Sequence, residues 1–368
     1  MSGIYIHIPF CRSKCIYCDF YSVPSGRNQS IYSDFVDSII GEYESRKAEY
    51  QPDKVKTLYI GGGTPSTLPQ AELTRLLDYF CNPSIEEITI EVNPEDINDT
   101  LLEILVNHGV NRLSMGIQSF NNTVLKFIGR RHSDSDINVA VNRIHQAGIT
   151  NISGDLIFGL PGDTLTGWQY SVDRFVEMGL PHLSAYLLSY EPRTRLTAMR
   201  NRGKIEEATE ELITSMYEYL TERTAQCGYE HYEISNYSKP GFHSRHNSSY
   251  WNGTVYLGLG PGAHSYNGTT RSYNPSSLKQ YLECMGTGFN VVEPPNEDDS
   301  INDIIITAMR TARGLRLDRL PQADVNRILR DAKPHFNNGT LCKSTDNRIY
   351  IPERYFLISD SIIVDLIR

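Results

Sequence analysis

Residues 3–22 read GIYIHIPFCRSKCIYCDFYS. Positions 3–8 form a short run of aliphatic and aromatic residues stopped by Pro9, the composition of a buried strand. Cys11, Cys15 and Cys18 then follow within eight residues, in the spacing C-x3-C-x2-C. A strand that opens directly into a thiol-rich loop decides the fold. Enzymes of the α/β class carry their chemistry in the loops beyond the carboxyl ends of parallel strands.

The same unit recurs along the chain. Further apolar runs stand at VKTLYI (55–60), EEITIEV (86–92), NRLSMGI (111–117), NISGDLIF (151–158) and HLSAYLLS (182–189). Between them lie segments with helical spacing, such as QAELTRLLDYF, in which Leu73, Leu76, Leu77 and Phe80 share one face. Strand-to-strand intervals of roughly 25–50 residues leave room for a right-handed crossover through a helix, so the strands should be parallel. Six units predict an α/β fold, a partial TIM-like (β/α)6 barrel over residues 1–200. A doubly wound open sheet is the competing architecture, and periodicity alone does not separate the two.

The pattern changes after about residue 205. A helix is expected over 205–226, followed by a Tyr-, His- and Gly-rich stretch at 228–275 with little helical pattern; together they make a barrel-flanking region at 201–290. The acidic, proline-containing VVEPPNEDDS (291–300) reads as a linker. Residues 301–368 hold two amphipathic patterns, a short hairpin and a final helix, an order like that of a winged-helix module. Its charges nearly balance, which favours an intramolecular or protein-facing role over DNA binding.

A chain of 368 residues with 39% hydrophobic and 21% charged residues can bury a sizeable core. The net charge of −9 disfavours nucleic acid as a partner, since phosphates demand a basic surface. No apolar run is long enough for a membrane span, and no secretory leader pattern opens the sequence. Seven cysteines, odd in number, make no disulfide framework, so a reducing, cytoplasmic location is expected. Cys81, Cys227, Cys284 and Cys342 are isolated and carry no assigned role.

Four readings compete for the cysteine loop. A structural zinc site wants four closed ligands, and the loop supplies three. A redox pair would use only CIYC and leave Cys11 idle. Inert buried thiols fit poorly beside Arg12, Lys14 and Asp19. The reading preferred here is a [4Fe–4S] cluster on three thiolates, which leaves one iron open to a small molecule.

Other polar residues fall at successive strand ends or just beyond them. They are the glycine-rich YIGGGTPSTL (59–68), Glu91, Gln118, Arg130 and Asp155. Each alone would be an ordinary structural residue, but together they converge on one edge of the sheet. The cysteine spacing with this alternation resembles the radical S-adenosylmethionine (SAM) superfamily. That resemblance implies SAM chelating the open iron, and cleavage of its sulfonium by an electron from the cluster to give a 5′-deoxyadenosyl radical.

The segments YIHIPFC, GGGTPS, EVNPE, RLSMGIQSF, GRRH, DLIFGLPG and YEISNYSKPG extend the resemblance to one branch, the oxygen-independent coproporphyrinogen III oxidase group. Taken to that branch, the resemblance implies SAM contacts at Tyr5, Tyr17, Gly62, Gly63, Thr64, Glu91, Gln118, Arg130 and Asp155, with some of them belonging to a second SAM that this group can hold near the first. Two departures matter. Where the oxidases carry a further cysteine two residues after the third, this chain has Phe20, and only ten residues precede its first cysteine. Both features resemble instead the HemW-type haem chaperones of the group.

The stretch HNSSYWNGTVYLGLGPGAHSY (246–266) matches the H-N-x-x-Y-W motif associated with haem in that branch. The resemblance implies His246 as an axial iron ligand, with Tyr250 and Trp251 as flat apolar surfaces. The plainer reading is a core histidine among aromatic neighbours. His264, His231 and His243 are weaker candidates, and no C-x-x-C-H attachment sequence occurs. The function implied is binding of haem and its transfer to an unidentified acceptor protein, with a reductant serving the cluster. The alternatives are oxidative decarboxylation of coproporphyrinogen III and radical chemistry on an unrelated substrate.

Overall fold

A computed structural model describes residues 2–26, 29–50, 54–294 and 297–368. Strand β1 (Ser2–Ile8) leads into the two-residue β2 (Phe10–Cys11), which pairs with β3 (Val23–Pro24) and closes the cysteine loop at its base. Helix α1 (Ser30–Arg46), β4 (Val55–Gly62), α2 (Gln70–Phe80), β5 (Glu87–Val92), α3 (Asp99–Asn107) and β6 (Arg112–Gln118) follow. Next come α4 (Asn122–Phe127), α5 (Asp134–Gln146), β7 (Asn151–Phe158), α6 (Leu165–Glu177) and β8 (His182–Leu187). These are the six expected strands, with boundaries within two residues of the apolar runs. They were readable because they are largely buried on both faces, as in β6, where only Gly116 and Gln118 are less than fully buried; β8 departs from this at its end, where Tyr186 and Leu187 are exposed.

The helices are set by local chemistry as well as by packing. The Asn98 side chain accepts from Leu101 N–H and caps α3, and Thr164 accepts from Gly167 N–H to start α6. In α2 the expected face of Leu73, Leu76, Leu77 and Phe80 is the buried one.

Beyond β8 run α7 (Arg195–Asn201), α8 (Glu210–Gln226), β9 (Glu230–Glu233), β10 (Asn236–Ser238), α9 (Arg245–Asn252) and β11 (Val255–Leu259). Then β12 (His264–Tyr266), β13 (Arg271–Tyr273), α10 (Leu278–Glu283) and β14 (Val291–Val292) complete one sheet, in the order β14-β13-β12-β11-β1-β4-β5-β6-β7-β8-β10-β9. Strand β11 lies parallel to β1, so a seventh parallel strand joins the six expected ones from far along the chain. The sheet remains open, with β14 and β9 at its edges. Residues from β4 to β8 nevertheless face a single cavity of about 590 Å³, so this part of the sheet curves as a partial barrel does.

The last part comprises α11 (Glu297–Met309), β15 (Leu315–Arg316), α12 (Gln322–Asp331), α13 (Lys333–Asn338), β16 (Cys342–Lys343), β17 (Arg348–Tyr350) and α14 (Ser359–Val364). Its three strands pair in the order β15-β17-β16 beside the helices, an arrangement like a winged helix. The expected linker at 291–300 is only partly one. Val291 and Val292 pair with β13, and α11 already begins at Glu297, while residues 295–296 lie outside the described residues. Nor is the module tethered loosely. Ala312 N–H donates to Tyr232 O at 3.1 Å, Ile234 N–H to Arg310 O at 3.0 Å, and Ile305 and Met309 belong to the same core as the barrel.

Candidate functional site at the carboxyl edge of the sheet

The cysteine loop is held from below by one apolar side chain. Ile16 is buried with Val124, Leu125, Ile128 and Leu196, its N–H donates to Ile128 O at 3.2 Å, and its carbonyl accepts from Leu196 N–H at 2.9 Å. With Ile16 turned into that cluster, Cys11, Cys15 and Cys18 stay half-buried and all three line the cavity. Burial raises the Cys11 thiol and pushes Cys18 up to about 11, so cluster binding must displace their protons. Two donors stand ready for the thiolates: Thr64 Oγ1 is 3.8 Å from Cys11 Sγ, and Arg130 Nη1 is 3.8 Å from Cys15 Sγ.

The glycine-rich segment runs directly against this loop. Gly63 N–H donates to Ile8 O at 2.7 Å and Thr64 N–H to Phe10 O at 2.8 Å. A Cβ on Gly63 would lie 2.6 Å from Phe10 O, 2.7 Å from Ile8 O and 3.0 Å from Cys11 Sγ, so a side chain there would force main chain and thiol apart. Gly62 sits at φ +101°, which aims its N–H at Glu91 Oε2, 3.0 Å away.

Beneath lies a polar floor supplied by alternate residues of β4 to β8. Glu91 Oε1 accepts from Tyr59 OH at 2.8 Å; burial, with Asp155 adding to it, lifts the carboxyl to about 7. Asp155 is lifted by burial to about 6, against hydrogen bonds from Ser184, Ser114 and Ser153. Arg130 donates through Nη2 to Asn93 Oδ1 at 2.7 Å and to Gly116 O, while its buried Nε has no partner. Gln118, at the end of β6, holds φ at +69°, a left-handed conformation that non-glycine residues adopt at a cost.

Eleven of the expected residues therefore share the cavity wall: the three cysteines, Tyr17, Gly62, Gly63, Thr64, Glu91, Gln118, Arg130 and Asp155. Tyr5 does not. It stands behind the wall, with its hydroxyl 3.0 Å from His7 Nδ1 and its ring 6.0 Å from that of Tyr59. Tyr59, Ser114, Ser184 and Tyr186 line the cavity and were missed, although polar residues at every second position of an otherwise apolar strand are their signature.

The H-N-x-x-Y-W residues occupy α9, and here the geometry departs from expectation. His246 is buried, with Nδ1 2.9 Å from Thr57 Oγ1 and Nε2 3.0 Å from Tyr250 OH. Both ring nitrogens are committed, and burial takes its pKa down to about 3. As the helix stands, His246 offers no lone pair to an iron; it is the core histidine of the plainer reading. Its own N–H and that of Arg245 are taken by Glu87, at 2.8 and 2.9 Å, which seats the helix on β5. Of the motif only Asn247 reaches the cavity.

The cavity suits a cluster and a charged nucleoside ligand. Among the described residues no group of three or more His, Cys, Asp or Glu side chains is disposed to hold a single metal ion. A cubane spreads its thiolates wider than one ion does, and the glycine backbone against Cys11 with the unpartnered Arg130 Nε matches a bound group there.

The radical SAM superfamily model matches residues 5–175. A protein named heme chaperone HemW from Lactococcus lactis is 34% identical over 370 residues, covering 98% of this chain and 96% of its own. The chain belongs to the HemW family. Another HemW, from Bacillus subtilis, is 35% identical over 88% of this chain and 86% of its own. This HemW-family chain also shares its fold with the coproporphyrinogen III oxidase HemN from Escherichia coli. That match has a TM-score of 0.82 and covers 99% of this chain and 89% of the other at 24% identity, so the likeness is one of fold. Membership of the superfamily implies a [4Fe–4S] cluster and SAM. No helix among the described residues is long and apolar enough to cross a membrane.

Proposed function

We propose that this chain binds haem and hands it to an acceptor protein, carrying a [4Fe–4S] cluster on Cys11, Cys15 and Cys18 with SAM at its open iron. The observation that carries the reading is the shared wall of one cavity. Three half-buried thiols, the Gly62–Thr64 backbone, and Glu91, Gln118, Arg130 and Asp155 all face the same space. Identity to HemW chaperones over nearly the whole chain supports the haem cargo.

Within the cavity each residue has a distinct task. Arg130 offers its positive charge at the cavity wall to the carboxylate of an amino acid moiety, and the carboxylates of Glu91 and Asp155 accept from ribose hydroxyls. Gly63 keeps the backbone close to the thiols. When bound, cluster and SAM together supply one-electron cleavage of the sulfonium, for which a cellular reductant is the partner. His246, Tyr250 and Trp251 act in this reading as the support of the cavity wall; iron ligation by His246 would require α9 to leave its seat.

The test is haem transfer. Anaerobic, cluster-loaded protein is incubated with haem and then with a haem-free acceptor such as an apo-cytochrome, and in parallel with reductant, SAM and coproporphyrinogen III. Stoichiometric haem uptake and release, without porphyrinogen turnover, is the expected result. Catalytic formation of protoporphyrinogen would overturn it in favour of the oxidase reading.

A further inference from the structure

The cavity changes character from floor to mouth. Its floor is polar, but three large apolar side chains open into it or stand at its rim: Phe20 at 66% exposure, Tyr186 at 42% and Leu187 at 42%. They come from two separate elements, the cysteine loop and the end of β8. Tyr186 is open to the cavity yet enclosed by protein, and that burial raises its phenol far above the usual value. Apolar surface kept exposed at a cavity edge marks a binding face.

The charges around the mouth narrow the occupant. Arg12 is paired with Asp96 at 3.2 Å, and Arg131 with Glu95 at 3.6 Å. Lys14 forms no ion pair among the described residues; its ammonium donates only to Phe20 O, at 3.3 Å. Asp19 and Glu191 also line the cavity, so the rim is not uniformly basic. A ligand that fits has a flat apolar body and anionic groups at one edge, which is the chemistry of a tetrapyrrole with propionates.

Resting on the reading of the chain as a haem carrier, we propose that haem seats at this mouth. Its ring lies against Phe20, Tyr186 and Leu187, and a propionate meets Lys14; His246 does not hold the iron. The seat grips the porphyrin ring rather than the metal, so an acceptor that does ligate iron takes the cargo without first breaking an iron–protein bond. A ring placed there also closes the route to the polar floor, so SAM and haem hold each other in place.

The experiment titrates full-length, cluster-loaded protein anaerobically with haem and with iron-free protoporphyrin IX. Both should bind with dissociation constants within about tenfold of each other. The double substitution Phe20→Ser, Leu187→Ser should weaken both by at least about tenfold, and Lys14→Glu by a few-fold, more strongly at low salt. The change that SAM causes in the cluster spectrum should survive in each variant. Haem binding that ignores the double substitution, or that demands iron, overturns the mouth as the seat while leaving the carrier reading intact. Wild-type protein that binds no haem at all overturns both.

Discussion

Substituting Glu91 by Gln should make the ligand-free protein more stable while weakening its hold on SAM. Among the described residues Glu91 receives two hydrogen bonds, from Tyr59 OH and Gly62 N–H, and burial with a nearby Asp155 lifts its carboxyl from 4.5 to about 7. That gap corresponds to about 3 kcal/mol against the ionised form. The folded state therefore binds the proton more tightly than the unfolded chain between pH 4.5 and about 7, and stability is lost as pH rises through this window. Gln keeps the shape: its carbonyl accepts from Gly62 N–H, and its amide donates to the Tyr59 hydroxyl, which turns to accept. Relative to wild type, the variant should gain about 3 kcal/mol at pH 8 and about 1 kcal/mol at pH 5.5. Losing a carboxylate acceptor for ribose hydroxyls should lower SAM affinity by about 10- to 100-fold, the range for a hydrogen bond to a charged group. Denaturant midpoints at the two pH values and SAM titration of the anaerobic protein read both effects. A variant less stable than wild type at pH 8, or one whose gain does not change with pH, would refute the reasoning, because Glu91 would then be favourably paired rather than stranded.

Two further predictions rest on contacts. Gly63→Ala should destabilise by about 1–3 kcal/mol through overpacking against two carbonyls, and should lower iron and sulfide content, since the new Cβ presses on Cys11 Sγ; chemical denaturation and iron analysis check it, and full cluster content would count against the close backbone approach. His246→Ala should cost about 2–4 kcal/mol by leaving Thr57 and Tyr250 hydroxyls unpaired beside a void. Its haem stoichiometry per folded molecule should stay near wild type, and His246→Gln, which can bond both partners, should recover much of the stability; loss of haem without loss of stability would restore the axial-ligand reading.

The six parallel strands were legible because their buried backbone carries short apolar runs interrupted only where a side chain faces the cavity, and the helices between them because one face must be apolar. The seventh, β11, was not, since its partner β1 lies some 250 residues earlier and only the folded chain brings them together. Helix α9 escaped notice for another reason: its buried residues are His246 and Ser249, so it carries no apolar stripe to read. That the cysteine trio and the strand-end carboxylates Glu91 and Asp155 stand at one cavity could be expected from their residue type and their places at strand ends. The fate of His246 did not, because its motif fixes which residues are present and not whether the imidazole faces a ligand or Thr57. Phe20 was noted only as a missing cysteine; its place at the cavity mouth depends on how the loop folds back over Ile16.

The most direct test of the account is the electron paramagnetic resonance spectrum of the reduced, anaerobically loaded protein with and without SAM. If three thiolates leave one iron open, the protein shows a [4Fe–4S]⁺ signal that SAM shifts, and alanine at Cys11, Cys15 or Cys18 abolishes it. A cubane signal indifferent to SAM, or one that survives loss of any of the three cysteines, would contradict it.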